Sequence, residues 1–201
     1  LITTVIFSLG IFVGSAITTS KVNDLLSLEK EARLQLEGIE LEEKLTGEAP
    51  CSDPAALTSN LNDLGVKLAY LESQYKKDDP RIIELKKPYT VLEVKHYLRL
   101  KDLTEKCGND YHLILFFYSN KPDLIKQSED QGFVLDYMQK KLTNDKVKVY
   151  SIDVDIDTSL VRTLKRVYNV TSIPSIVVDG NLYAGFYGKD EMEKILNVKS
   201  K

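Results

Sequence analysis

The sequence predicts an α/β domain of element order βαβαββα in its C-terminal half, preceded by a transmembrane helix and a helical stalk and hairpin. Three observations carry this reading. Leu1–Ile17 is uncharged, and the first charge is Lys21. Leucines recur at heptad spacing between Asp53-Pro54 and Asp79-Pro80. Beyond residue 108, short apolar runs at His112–Tyr118, Val147–Ile156 and Ile176–Val178 alternate with helical stretches. At 201 residues with 43% apolar content, the chain is long enough to bury a sizeable core. A net charge of −3 leaves no basic excess to neutralise phosphates, so nucleic acid is excluded as an expected partner.

Residues 1–20 are read as a membrane anchor. Seventeen helical residues cover roughly 25 Å, and Thr18–Ser20 extend this toward a hydrocarbon core of roughly 30 Å. Gly10 and Gly14 offer a close-packing face. The alternatives are a cleavable signal peptide, for which Gly14-Ser15-Ala16 resembles a cleavage site, and a buried helix of a soluble domain. The chain starts without Met, so at least one residue is expected to precede it. Lys21, Lys30 and Arg33 stand among acids and set no orientation by charge. A short N-terminus before a long body normally translocates the body, and Asn169-Val170-Thr171 is a glycosylation candidate on that side. The body is therefore expected to be extracytoplasmic.

Residues 21–47 read as a helical stalk, charged and leucine-rich, closed by Thr46-Gly47-Glu48-Ala49-Pro50. Residues 48–108 read as a helical hairpin. Asp53 is an N-cap candidate and Pro54 suits the first helical position. Leu57, Leu61, Leu64, Leu68, Leu71 and Tyr75 then form a coiled-coil-like seam, which closes either on the chain's own core or on another chain. Asp79-Pro80 opens a further helical stretch to about Lys106, where Pro88 marks a kink or restart and Gly108 a stop. In antiparallel helices Cys51 and Cys107 fall at one end. A disulfide there would close a loop of about 57 residues, worth about 4 kcal/mol in an oxidising compartment; the alternative is two unpaired thiols.

Residues 109–201 carry the α/β order. After the first strand a helix runs to about Lys141, with Phe133, Leu135, Tyr137, Met138 and Leu142 available to face a sheet. A second strand spans Val147–Ile156, a helix Ser159–Tyr168, and Asp179-Gly180 turns a hairpin between Ile176–Val178 and Leu182–Tyr187. A last helix covers about Lys189–Val198. The β–α–β links demand parallel strands with right-handed crossovers.

This order, with Thr171-Ser172-Ile173-Pro174-Ser175-Ile176 just before the hairpin, resembles the thioredoxin family from about Tyr111 to Val198. Tyr168-Asn169-Val170 and Tyr183-Ala184-Gly185-Phe186 also fit the family pattern. The resemblance implies a thioredoxin-like fold with a cis peptide bond at Ile173-Pro174. It also implies a Cys-x-x-Cys at the start of the helix after the first strand, where exposed N–H groups stabilise a thiolate. Here Lys121 and Leu124 stand at the two cysteine positions, with Pro122-Asp123 between them. Lys121 at a helix N-terminus is expected to cost about 0.3–1 kcal/mol if exposed. Leu115 occupies the place of the buried acid found in many thioredoxins, and Trp is absent. Thiol exchange needs a sulfur nucleophile and this position has none.

No other chemistry is legible. Cys51, His96, Cys107 and His112 contain no close pair of zinc ligands. Asp153-x-Asp155-x-Asp157 mimics a calcium loop but lacks its Gly and closing Glu, and alternation assigns these acids to the solvent side of a strand end. His96 and His112 read as structural, and no cofactor, metal or catalytic residue is expected. The expected function is a non-catalytic, protein-binding or assembly subunit of a membrane or cell-surface complex. Its binding groove would comprise Asn120, Lys121, Pro122 and Asp123 with Ile173, Pro174 and Ser175. The alternative is a thiol–disulfide oxidoreductase using Cys51 and Cys107 as a relocated pair. A third reading makes this chain the structural partner of a paralogue that keeps the cysteines.

Overall fold

The computed structural model describes residues 27–28, 30–34, 37–38, 41, 51, 55–75, 77, 79–108, 111–142 and 146–197. The expected anchor at 1–20 and most of the stalk lie outside the described residues, as do Asp53 and Pro54. No helix among the described residues is long and apolar enough to cross a membrane. The described stalk residues are helical, and Leu28 and Ala32 are buried while Leu34 and Leu41 are exposed. The stalk's covered face is thus met by the chain's own core, with Glu31 paired to Lys67 at 2.8 Å.

Helix α1 spans Ala55–Gln74 and helix α2 spans Pro80–Cys107. Leu61, Leu64, Leu68 and Leu71 are buried against Ile82, Leu85 and Leu92, so the described part of the seam closes within the chain. Asp79 caps α2 by accepting the Arg81 N–H at 2.9 Å, Pro80 takes the first turn, and Gly108 ends the helix at φ 71°. The Arg81 hydrogen bonds lower the Asp79 carboxyl to about 2. Of the kink or restart expected at Pro88, the restart does not occur, and α2 runs on through it.

The sheet has the order β2-β1-β3-β4, from β1 (His112–Tyr118), β2 (Val147–Asp153), β3 (Ser175–Val178) and β4 (Asn181–Ala184). β1 pairs parallel with β2 as expected, but β3 runs antiparallel to β1, so the parallel setting expected of the second β–α–β link does not hold; β3 also pairs antiparallel with β4. The hairpin turn holds Asp179 and Gly180 at φ 49° and 88°, the left-handed values that a two-residue turn requires. Helices α3 (Ile125–Lys141), α4 (Ser159–Val167) and α5 (Lys189–Ile195) complete the expected order. β2 and β4 end earlier than expected, at Asp153 and Ala184; Gly185 follows β4 at φ 94°.

Strand alternation divides the core into two clusters, one per sheet face. Leu113, Leu115 and Phe117 of β1 join the hairpin, α4, Tyr150 and Val177. Ile114 and Phe116 join Leu135 and Met138 of α3 and Met192 of α5. Phe133 and Tyr137, expected to face the sheet, are exposed instead. The inner face of α3 is set by Ser128, Gln131, Leu135 and Met138, and positions 133 and 137 fall on its far side.

Candidate functional site

The loop after β1 holds the degenerate motif. Ser119 is buried, and its hydroxyl donates to both Asp155 oxygens at 3.0 and 2.9 Å. The Asn120 N–H donates to Asp155 Oδ2 at 2.8 Å and its side-chain amide to Asp153 Oδ2 at 2.9 Å. Lys121, Pro122 and Asp123 are exposed, and Leu124 is half-buried at the N-cap of α3. Lys121 Nζ lies 3.7 Å from Asp155 Oδ1, and the Lys121 carbonyl accepts the Leu124 and Ile125 N–H groups. The lysine therefore sits ahead of the first helical turn beside a carboxylate, which offsets the dipole penalty expected for it.

The Ile173-Pro174 peptide is cis. Ser175 pairs with Phe117, so strand register brings the loop after β1 and the loop before β3 to the same end of the sheet. The Pro174 carbonyl accepts the Gly185 N–H at 2.9 Å and the Ser175 hydroxyl donates to Ser172 O at 2.7 Å. Ile173 packs on the larger core cluster, and Ser175 is fully buried, so Ser175 has no surface to offer a partner. Asn169 is exposed at φ 55°, ending α4 in the left-handed conformation that Asn tolerates.

Cys51 and Cys107 form a disulfide with Cα atoms 5.6 Å apart, and no described cysteine is free. Cys107 ends α2 just before the N-terminal end of β1, whereas the degenerate motif follows its C-terminal end. Seven strand residues at about 3.3 Å each put roughly 20 Å between the two ends.

Sequence reasoning missed a buried polar cluster beside that motif. Lys86 Nζ sits 2.8 Å from Asp153 Oδ2, 2.5 Å from Glu72 Oε1 and 3.4 Å from the Tyr118 hydroxyl. Burial disfavours its charge, but Asp153 and Glu72 outweigh this and hold the ammonium above its ordinary range. Asp153 is buried, which corrects its assignment to the solvent side; the acid faces α2 because β2 is the edge strand there. Glu93, one helical turn pair along α2, accepts the Ser151 N–H at 3.0 Å and so occupies an edge donor of β2. Its Oε2 has no hydrogen-bond partner among the described residues, and burial raises its carboxyl to about 8. The available signal was charge on an apolar stripe, because Lys86 and Glu93 share a helix face with Ile82, Leu85 and Leu92.

These groups line a cavity of about 390 Å³ between α1, α2, α3 and the β2 edge. Asn120 reaches into it, but Lys121 and residues 173–175 do not line it. His96 is structural: its Nδ1 meets the Tyr150 hydroxyl at 2.8 Å and its Nε2 meets Thr58 Oγ1 at 2.9 Å. Burial lowers it to about 4, so the ring is neutral. His112 Nδ1 lies 2.7 Å from Asp179 at the hairpin turn. Among the described residues, no group of three or more His, Cys, Asp or Glu side chains is arranged to hold a metal ion.

No family model matches the chain, and no curated protein matches it. Among solved structures the chain is similar to chloroplastic thioredoxin z, at 20% identity over 47% of this chain and 82% of that one, with a TM-score of 0.37. The element order, the mixed four-stranded sheet and the helices on both faces fit a thioredoxin-like fold.

Proposed function

We propose that this protein is a membrane-anchored, redox-inactive thioredoxin-like protein that serves as a protein-binding or assembly subunit of a membrane or cell-surface complex. One observation carries the reading. Lys121 and Leu124 stand where dithiol exchange needs sulfur, and both cysteines are tied in a bridge at the opposite end of the sheet. A thioredoxin-like body without a nucleophile can hold a polypeptide but cannot exchange disulfides with it. The bridge itself favours an oxidising compartment, in keeping with an extracytoplasmic body. Of the groove residues, Asn120, Lys121 and Asp123 offer polar and charged surface and Pro122 an exposed ring, whereas cis-Pro174 at the same sheet end is buried, like Ser175.

The full chain in mild detergent, assayed for insulin reduction with dithiothreitol as electron source, is expected to show no turnover above the reagent alone. Clear turnover that disappears in C51A or C107A would overturn the reading in favour of a thiol–disulfide oxidoreductase using that pair. The binding role is tested by co-purification compared across variants. K121E and D123K are expected to lose a partner that the unaltered chain retains, with the fold intact by circular dichroism. Retention of that partner by both variants would remove the groove from the proposal.

A further inference from the structure

The cavity at the β2 edge is a separate feature from the groove, and its chemistry points to a ligand of its own. Its walls are apolar at Leu68, Phe116, Ile125 and Val149, and its polar groups converge from α1, α2 and β2. About 390 Å³ lies within the roughly 300–1,000 Å³ typical of small-molecule sites. Gly65 contributes to this shape, since a Cβ there would come within 2.7 Å of the Tyr89 hydroxyl.

Three carboxyl groups face this space, Glu72, Glu93 and Asp153, against the single buried ammonium of Lys86. Lys86 is already matched by Glu72 and Asp153. At the rim Lys77 and Glu129 neutralise each other at 2.8 Å. Tyr89 and Tyr118, the other titratable groups facing the cavity, are both held neutral by burial. What remains is Glu93, 4% exposed, with one oxygen on the Ser151 N–H and the other unpartnered. A buried carboxyl oxygen with no partner among the described residues, carrying the proton or not, is an uncommon and costly arrangement.

We infer that this cavity is a binding site for a small organic amine, whose ammonium donates to Glu93 Oε2 while its hydrocarbon body lies against Leu68, Phe116 and Val149. The cation takes the place of the proton that Glu93 otherwise keeps, so the exchange balances: the protonated acid and the ammonium give an ammonium–carboxylate pair and one proton released to solvent. This does not rest on the protein-binding role of the groove, which shares only Asn120 with the cavity wall.

Calorimetric titration of the full chain with tyramine tests the inference, with 4-ethylphenol, the same ring and two-carbon chain without the amine, as the comparison. Repeating it at pH 7 in two buffers of different ionisation enthalpy counts protons. Tyramine is expected to bind and to release about one proton, because an acid of pKa about 8 is mostly protonated at pH 7. 4-Ethylphenol is expected to bind at least roughly tenfold more weakly, the usual effect of losing a hydrogen bond to a charged group. E93Q keeps an oxygen for the Ser151 N–H, and is expected to abolish proton release and weaken tyramine to the level of the phenol. No heat at millimolar tyramine, equal affinity for the two probes, or binding without proton release would each overturn the inference. These arms use the unaltered chain, so they decide the matter even if E93Q fails to fold.

Discussion

Glu93 and His96 lie one turn apart on α2 and impose opposite pH dependences. Glu93 titrates near its ordinary 4.5 when unfolded and at about 8 when buried. Between those values the folded state holds the extra proton, so stability falls as pH rises through the window. His96 moves from 6.5 down to about 4 on burial. There the unfolded chain holds the extra proton, so stability falls as pH drops from 6.5 toward 4. Above pH 6.5 the Glu93 slope stands alone. E93Q should flatten the decline between pH 6.5 and 8, a difference of roughly 2 kcal/mol at about 1.4 kcal/mol per unit; urea midpoints at several pH values measure it, and an unchanged slope would sink the assignment. Lys86 presents the opposite hazard. K86M leaves the buried Asp153 and the half-buried Glu72 without their cation and should cost about 3–5 kcal/mol in the same assay.

At the scale of elements, the periodicity of leucines was the most legible feature. Leu61, Leu64, Leu68 and Leu71 repeat at 3 and 4 and are all buried, so the seam's existence was readable and its partner was not. Whether such a seam meets its own chain depends on what α2 and β1 present to it, which spacing within α1 cannot encode. L64A should therefore destabilise by about 2–5 kcal/mol in denaturant unfolding, as for a fully buried leucine. The face of α3 was legible only in part: Leu135, Met138 and Leu142 pack on the core as expected, but the bulk of Phe133 and Tyr137 does not decide which face is buried. The winning face was fixed by Ser128 and Gln131, whose polar groups bond the Ser119 N–H and the Tyr187 backbone. F133S should change stability by no more than about 0.5 kcal/mol, whereas M138A should behave like L64A.

Across the whole molecule, the order of elements along the chain and the Cys51–Cys107 bridge were legible from local signatures, apolar runs and two helix ends, and the cis-proline step from the family resemblance, whereas the antiparallel setting of β3 was not. Nor was the buried ion cluster. Lys86 finds Asp153 from 67 positions away, and a lysine in a helix reads as solvent-facing until its stripe is counted against its neighbours. The bridge also joins positions 56 apart, and that span makes it a whole-chain constraint. Replacing both cysteines by alanine should lower stability by about 2–5 kcal/mol, measured as a shift in denaturant midpoint under non-reducing conditions. An equal midpoint for the two forms would mean the loop is already restricted without the bond.

The larger core cluster runs from Leu61 of α1 through α2 to Leu113, Leu115 and Phe117 of β1 without interruption. A fragment cut to begin at Tyr111 would keep every strand and α4 yet strip the hairpin from that sheet face, leaving those three side chains, with Tyr150 and Val177, only partly covered. Such a piece would be sticky rather than soluble, and would come out of expression as inclusion bodies. Any worker wishing to isolate the α/β half would have to carry the hairpin along with it.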